Sequence, residues 1–399
     1  MDSLIVLNTG SSSMKFSIFS IHGNEMKREY SGSVTGLSDK PHIKIIKESS
    51  AKEIDEDLKV AGDSNTYVKQ TLHFILDWTK QKNINLIAAG HRIVHGGDYK
   101  ESIVFDDEVV KHLKSLIPFS PLHQPYNLNG YIFFKEEFKN LFQVATFDSA
   151  FHSTCDPISQ SYALPKSLTS LGIRRYGFHG LSYEYIASKL PGYMSQKEAN
   201  AKFIVAHLGG GATMCAIENL KSLATSIGLT SMGGLPMATR PGDVDPYLGV
   251  YLMDQLGWSA EKVQNLYYKE SGLLGVSNIS SDMAKLLKSD HPDAKLAVDI
   301  FVHRITLFAG SLTSELQGLD GFVFTGGIGE NSPEIRQMVV KKLTWLGLEL
   351  DLEKNNACRK RVEKISTKNS KVSIWVIPTD EEIMIAKHTF ELYQKQKKA

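Results

Sequence analysis

Four short stretches set charged residues and glycine among apolar neighbours. His91-Arg92-Ile93-Val94-His95-Gly96-Gly97 follows the apolar run Leu86-Ile87-Ala88-Ala89. Phe147-Asp148-Ser149-Ala150-Phe151-His152 follows another strand-like run. Arg174-Arg175-Tyr176-Gly177-Phe178-His179-Gly180 and Ala238-Thr239-Arg240-Pro241-Gly242-Asp243 place further cations in turn-rich sequence. Singly, each has a bland reading: an arginine in an ion pair, a hydrogen-bonded loop histidine, an aspartate capping a helix. Together, two Arg, a His and an Asp beside glycine turns are the parts of a phosphoryl-transfer site. There the transition state spreads negative charge over equatorial oxygens, and cations with Mg²⁺ do most of the work.

Three apolar strands run into small-residue turns that could cradle phosphate. Leu4-Ile5-Val6-Leu7 enters Asn8-Thr9-Gly10-Ser11-Ser12-Ser13, Phe203-Ile204-Val205-Ala206 enters His207-Leu208-Gly209-Gly210-Gly211, and Phe322-Val323-Phe324 enters Thr325-Gly326-Gly327-Ile328-Gly329-Glu330-Asn331. Turns without bulky side chains expose backbone N–H groups to phosphate oxygens. Three of them suggest a nucleotide held between two halves of the chain. The first is not a Walker A loop, because Met14-Lys15-Phe16 stands where Gly-Lys-Ser/Thr is required. Nor does it open a G-x-G-x-x-G, and a strand follows it where a dinucleotide fold needs a helix.

The elements that must position these groups follow from periodicity. After the first turn, Met14, Phe16 and Ile18 share one face of a strand, and Ser13, Lys15 and Ser17 the other, so Lys15 points to the turn's open side. Thr213-Met214-Cys215-Ala216-Ile217 repeats this after the second turn. Two such hairpins indicate a duplicated plan. Val68, Leu72, Ile75 and Leu76 recur at helical spacing. Further helices are expected from Ala294 to Gln317, ended by Gly318, and from about Glu382 into the basic tail. The polar segment 41–65 reads as surface structure. Strands mixed with helices give an α/β protein.

Composition narrows the class. A chain of 399 residues is too long for one core, so two domains are expected. Lys+Arg 45 against Asp+Glu 44 leaves no support for nucleic-acid or membrane-surface binding. Three scattered cysteines, Cys155, Cys215 and Cys358, form neither a zinc motif nor a disulfide framework, and fit a reduced, cytoplasmic setting. The N-terminal apolar run reads as a first strand rather than a signal peptide, and no run is expected to span a bilayer.

In order along the chain, Asn8–Phe16, Gly90–Gly97, Phe147–His152, Arg174–Gly180, His207–Gly211, Ser226–Pro246, Ser271–Asp282, Thr325–Ser332 and Ile377–Ala386 resemble the motifs of the acetokinase family, within the actin/Hsp70/sugar-kinase superfamily. The resemblance covers almost the whole length. It implies two ribonuclease-H-like domains with a central nucleotide cleft that closes: residues 1–149 with 383–399, and 150–382. It also implies a homodimer and reversible, Mg²⁺-dependent phosphoryl transfer (Mn²⁺ as an alternative) from ATP to acetate, giving acetyl phosphate and ADP.

Residue by residue, Asn8 and Glu381 resemble the Mg²⁺-associated pair, and Ser12 and Lys15 residues facing the nucleotide phosphates. Arg92 and Arg240 resemble the pair gripping the substrate carboxylate and the moving phosphoryl group. His179 resembles the transition-state donor and Asp148 the active-site acid. His207, Leu208, Gly209, Gly210 and Gly211, then Asp282, Met283 and Ala284, then Gly327, Ile328, Gly329, Glu330 and Asn331 match three nucleotide-contact segments. Val94, Leu122 and Phe178 match walls of the small acyl pocket, with Ser231 beside it.

Acetate has a pKa near that of Glu, about 4.3, and is already ionised near pH 7. Asp148 is therefore expected to organise Mg²⁺ and the arginines rather than accept a proton.

The chain departs from the family pattern at four places. Gly210 replaces an asparagine, Ala284 an arginine, Ser231 a proline and Gly233 a glutamate. Propionate or another short-chain acyl group is the alternative substrate, with branched Val94 leaning toward acetate. A nucleotide-binding paralogue without turnover is the non-enzymatic alternative. A sugar kinase shares the fold, but a neutral polyol does not need two carboxylate-facing arginines.

Overall fold

The computed structural model describes residues 1–10, 13–37, 39–49, 52–60, 64–138 and 140–398. It divides into two compact units, Met1–Ala150 with Asp380–Ala399, and Phe151–Thr379. The second boundary falls three residues before the expected one. Asp380 accepts a hydrogen bond from Arg28, and Glu381 one from Asn8, so the start of the last helix belongs to the first unit.

The first unit holds an eight-stranded sheet. Its strands are β1 (Asp2–Thr9), β2 (Ser13–His22), β3 (Glu25–Thr35), β4 (His42–Lys47), β5 (Lys52–Asp57), β6 (Asn85–Ile93), β7 (Ile103–Val104) and β8 (Phe142–Phe147), in the order β5-β4-β3-β2-β1-β6-β8-β7. The second unit holds β9 (Phe203–Leu208), β10 (Ala212–Glu218), β11 (Lys221–Thr225), β12 (Gly321–Thr325), β13 (Glu363–Lys364) and β14 (Ser373–Val376), in the order β11-β10-β9-β12-β14-β13. Within these, β3-β2-β1-β6-β8 and β11-β10-β9-β12-β14 share one topology. Each is an antiparallel meander joined on its first strand to two parallel strands. This repeated ribonuclease-H-like plan is the actin/Hsp70-type fold.

Local sequence explains the layers. Leu4, Ile5, Val6 and Leu7 are all buried, as a central strand covered on both faces requires. On β2 the alternation holds at the tip, where Ser13 and Lys15 are exposed and Met14 and Phe16 buried. It lapses at Ser17, which is buried because both faces are covered there. The helix Ser64–Gln81 buries Val68, Leu72, Ile75 and Leu76 against this sheet's core. The final helix, Glu381–Lys398, packs on β6 at Gly90, where an added Cβ would stand 2.2 Å from Thr389 Oγ1. Only glycine permits that approach, which carries Glu381 to the same end of the sheet as Arg92.

Three expectations need correction. Segment 41–65 is not plain surface structure: β4 and β5 extend the sheet, with Ile43 and Ile45 fully buried. The period-two run Ile43-Lys44-Ile45 was the readable sign. The helix Pro292–Leu316 ends on Gln317, itself in the left-handed conformation (φ 54°), one residue before Gly318. That helix is also, by length and composition, apolar enough to cross a bilayer. In this fold its apolar side, including Phe301, Val302 and Ile305, is buried in the second unit, where it packs on β10 and on the helices Gly272–Ser277 and Pro333–Lys342. A core helix passes the same test.

Candidate active site

In the first unit, the candidate residues gather at the carboxyl ends of parallel neighbours. β1, β6 and β8 lie side by side, and ligands of α/β sheets bind beyond such ends. Asn8 and Arg92 lie one residue before the ends of β1 and β6, Asp148 follows β8, and Lys15 stands opposite Asn8 across the hairpin. The Arg92 guanidinium donates from Nε to Asp148 Oδ1 at 2.9 Å and from Nη2 to Asp148 Oδ2 at 2.5 Å. Its Nη1 donates to Asn8 Oδ1 at 2.8 Å and lies 3.6 Å from Glu381. Asn8 Nδ2 donates in turn to Glu381 Oε2 at 3.1 Å.

Asp148 is 1% exposed and Arg92 17%, so this is a largely buried ion pair joined by two charge-assisted hydrogen bonds. Burial works against the charge on Arg92, but Asp148 and Glu381 outweigh it and hold the guanidinium above its ordinary pKa. Next to Glu381, burial pushes the Glu382 carboxyl up, and Lys15 opposes that shift.

Val94 is buried and Leu122 half-buried in the same unit. What holds Val94 in place was not read from the sequence. Asn127 Oδ1 accepts from Val94 N, Asn127 Nδ2 donates to Thr9 O, and Gln124 brackets the His95 backbone. A Gln and an Asn buried on one side of the aromatic helix Gln124–Glu137 are the signal that could have found them.

In the second unit, three separated segments meet around one cleft of about 830 Å³. Gly209 and Gly210, then Asp282, Met283 and Ala284, then Gly327, Ile328 and Asn331 line it, with Lys288 and Arg359 also at its walls. The third segment is not a turn. β12 leads straight into the short helix Gly326–Asn331, and Gly326 (φ 76°) sits where a Cβ would meet the Leu208 backbone at 2.8 Å. The Asp282 carboxylate caps its own short helix, accepting from the Ala284 and Lys285 amides. Leu208, Gly211, Gly329 and Glu330 are not among the lining residues. The Glu330 carboxylate turns inward and accepts from Gly326 N and Thr379 N, which makes it a brace for that helix. Arg336, fully buried, donates to the Gly329 carbonyl and to Asn355 and so supports the same helix.

His179, with left-handed backbone at φ 57°, begins the helix Gly180–Lys189. Its ring stacks on His207 with centroids 4.3 Å apart. Phe178 is buried beside it. Arg240 is half-buried: Nη1 donates to the Ser231 carbonyl at 3.0 Å, and the guanidinium lies 5.8 Å from the Tyr268 ring centre. Burial is the main influence on it and lowers its pKa, with Tyr268 opposing. Arg174 is occupied structurally, hydrogen-bonded to Gln160 and over the Tyr176 ring. An added Cβ at Gly210 would meet nothing within 4 Å, so the missing asparagine reflects no lack of space. Ser12 lies outside the described residues.

Asn8 and Glu381 offer oxygen donors, which suit a hard cation. Among the described residues no group of three or more His, Cys, Asp and Glu could hold a metal. Mg²⁺ commonly takes one or two carboxylates and completes its shell with water and substrate phosphates, so the sparse donor set fits it.

A duplicated ribonuclease-H-like fold with cations at its strand ends and a glycine-lined cleft defines a kinase class. The Acetokinase family model matches residues 3–387. An acetate kinase of Nitrobacter hamburgensis is 43% identical over 395 residues, covering 98% of this chain and 96% of that protein. A propionate kinase structure from Francisella tularensis has a TM-score of 0.89 at 36% identity, covering 98% and 100% of the two chains. The acetate kinase structure from Porphyromonas gingivalis gives 0.84 at 33%, with the same coverage. The chain belongs to the acetokinase family, and it is a phosphotransferase with a carboxyl group as acceptor.

Proposed function

We propose that this chain is an acetate kinase, transferring the γ-phosphoryl group of ATP reversibly to acetate to give acetyl phosphate and ADP. The observation that carries the reading is the Asn8–Arg92–Asp148–Glu381 cluster at the carboxyl ends of β1, β6 and β8. Asn8 and Glu381 would hold Mg²⁺, which when bound supplies positive charge to the phosphate oxygens. Lys15 serves the nucleotide phosphates, the role its family resemblance gives also to Ser12, and the second-unit cleft takes the nucleotide. Arg92 and Arg240 grip the acceptor carboxylate and the phosphoryl group in flight. His179 donates a hydrogen bond to the transition state of the in-line transfer. Asp148 holds Arg92 in place. No general base is assigned, because acetate is already an anion at neutral pH.

Propionate is the second reading, supported by the likeness to the Francisella propionate kinase. One methylene changes discrimination by about 1–3 kcal/mol, and branched Val94 leans toward acetate. ATP-dependent acyl phosphate formation, trapped with hydroxylamine, decides among acetate, propionate and butyrate. Acetate is expected to lead propionate in kcat/KM by about tenfold or more. A propionate preference reverses the substrate assignment. Bound ATP without turnover on any of the three makes the chain a nucleotide-binding paralogue.

We also propose a cytoplasmic homodimer. Cys155, Cys215 and Cys358 are all free and buried, which suits a reducing compartment. The helix Tyr247–Asp254 exposes Tyr247, Leu248, Val250, Tyr251 and Met253 and buries only Leu252. Contiguous apolar surface of this kind marks association, and a second copy is the proposed occupant. Tyr251→Glu is expected to shift sedimentation from dimer toward monomer. A wild-type chain that sediments as a monomer at micromolar concentration ends the proposal.

A further inference from the structure

The stacked imidazoles of His179 and His207 each meet a hydroxyl at Nδ1. Thr213 Oγ1 lies 2.9 Å from His179 Nδ1, and Ser182 Oγ lies 2.8 Å from His207 Nδ1. Which ring nitrogen carries the proton follows from what those hydroxyls need. Tyr183, Thr213 and Ser182 are all 0% exposed, so their protons must find protein acceptors. Tyr183 Oη is 2.5 Å from Thr213 Oγ1. Besides burial and the nearby Cys215 thiol, which both favour the neutral phenol, the His207 backbone amide acts on it as a donor rather than an acceptor. The phenol therefore gives its proton to Thr213. Thr213 keeps one proton of its own, and His179 Nδ1 is the acceptor within reach. The same reasoning has Ser182 donate to His207 Nδ1.

With Nδ1 accepting in both neutral rings, the ring protons sit on Nε2. Those atoms lie beside the glycine turn that follows β9. A Cβ built on Gly211 would stand 3.1 Å from His179 Nε2, and one on Gly209 would stand 3.8 Å from His207 Nε2.

We infer that Tyr183 and Thr213 form a hydroxyl relay fixing the Nε2–H tautomer of His179, while Ser182 does the same for His207. The stacked rings then present two N–H donors, beside the Gly209–Gly211 turn, to a phosphoryl group. Tyr183, Thr213 and Ser182 are positioning residues, and the inference rests on reading His179 as the transition-state donor. The stack holds the two ring planes within 16° of each other.

Thr213→Val removes the hydroxyl at nearly constant shape, and Thr213→Ser retains it. T213V is expected to lower kcat roughly tenfold, with KM for ATP and for the carboxylate within about twofold, and T213S to restore kcat. Selective ¹⁵N-histidine labelling reads the tautomer directly. In the wild-type chain His179 should show a bare Nδ1 and a protonated Nε2, and in T213V a mixture of tautomers. A wild-type spectrum with the proton on Nδ1 overturns the relay, even if T213V fails to fold. So does a folded T213V with wild-type kcat. His179→Ala separates this from the underlying reading: full activity in H179A removes His179 as donor, whereas the spectrum alone decides the tautomer.

Discussion

Replacing Arg240 with alanine is expected to cut kcat/KM for acetate by about three orders of magnitude, with KM for ATP changed only a few fold. Transfer requires an anionic carboxylate to meet an anionic γ-phosphate. Two unit charges 4 Å apart repel by roughly 4 kcal/mol at an effective dielectric of 20, and each 1.36 kcal/mol is about tenfold in rate. In the proposed mechanism Arg240 is a cation that offsets this. It is half-buried, held by the Ser231 carbonyl and backed by the Tyr268 ring. Its desolvation is a standing cost, so its removal should lower stability by no more than about 1 kcal/mol. Arg240→Lys should recover part of the rate, because an ammonium keeps the charge but loses the planar fork. Steady-state kinetics with acetate varied, beside a thermal melt, measures both. A near-wild-type acetate-dependent rate in R240A would remove Arg240 from the mechanism.

Asp148→Asn is the second large effect, and it is expected to harm both stability and binding. Asp148 takes two hydrogen bonds from Arg92 while nearly inaccessible to water. Breaking a buried pair by neutralising one partner typically costs about 3–5 kcal/mol. Glu381, 3.6 Å from the same guanidinium, compensates in part, so about 2–3 kcal/mol is expected here. Released from Asp148, Arg92 should swing toward Glu381 and disturb Asn8, the other proposed Mg²⁺ residue. KM for acetate and the Mg²⁺ concentration giving half-maximal rate should both rise, with kcat down about 10²-fold or more. A general base would behave differently, losing kcat while the melting temperature and Mg²⁺ requirement stayed put. That second pattern would refute the organising role.

Much of the fold was legible because its signals are local. The run Leu4–Leu7 read as a first strand, and Met14, Phe16 and Ile18 set the faces of the hairpin strand that carries Lys15. The matched hairpins after Leu7 and Ala206 announced a duplication, and a five-stranded core of one topology recurs in both sheets. Segment 41–65 was misread because Lys44 and the charged residues of the neighbouring edge strand β5 hide the alternation of Ile43 and Ile45 on β4. The bilayer-length helix Pro292–Leu316 was passed over because its apolar residues are broken by single charges; one side of it, including Phe301, Val302 and Ile305, is buried.

The residue types that can do phosphoryl chemistry were fixed by the sequence alone: Asn8, Lys15, Arg92, Asp148, His179, Arg240 and Glu381 stand in motifs whose order identifies the family. Their partnerships were not. That Arg92 spends three donors on Asp148 and Asn8, that Glu330 faces inward as a brace, and that Tyr183 hands a proton to Thr213 all depend on parallel strands and packed helices. Those elements bring together residues as distant along the chain as Asn8 and Glu381. Hydrogen-bond direction and burial belong to the folded surroundings of a residue. A sequence names the residue, and tertiary structure decides which of its atoms remain available for chemistry.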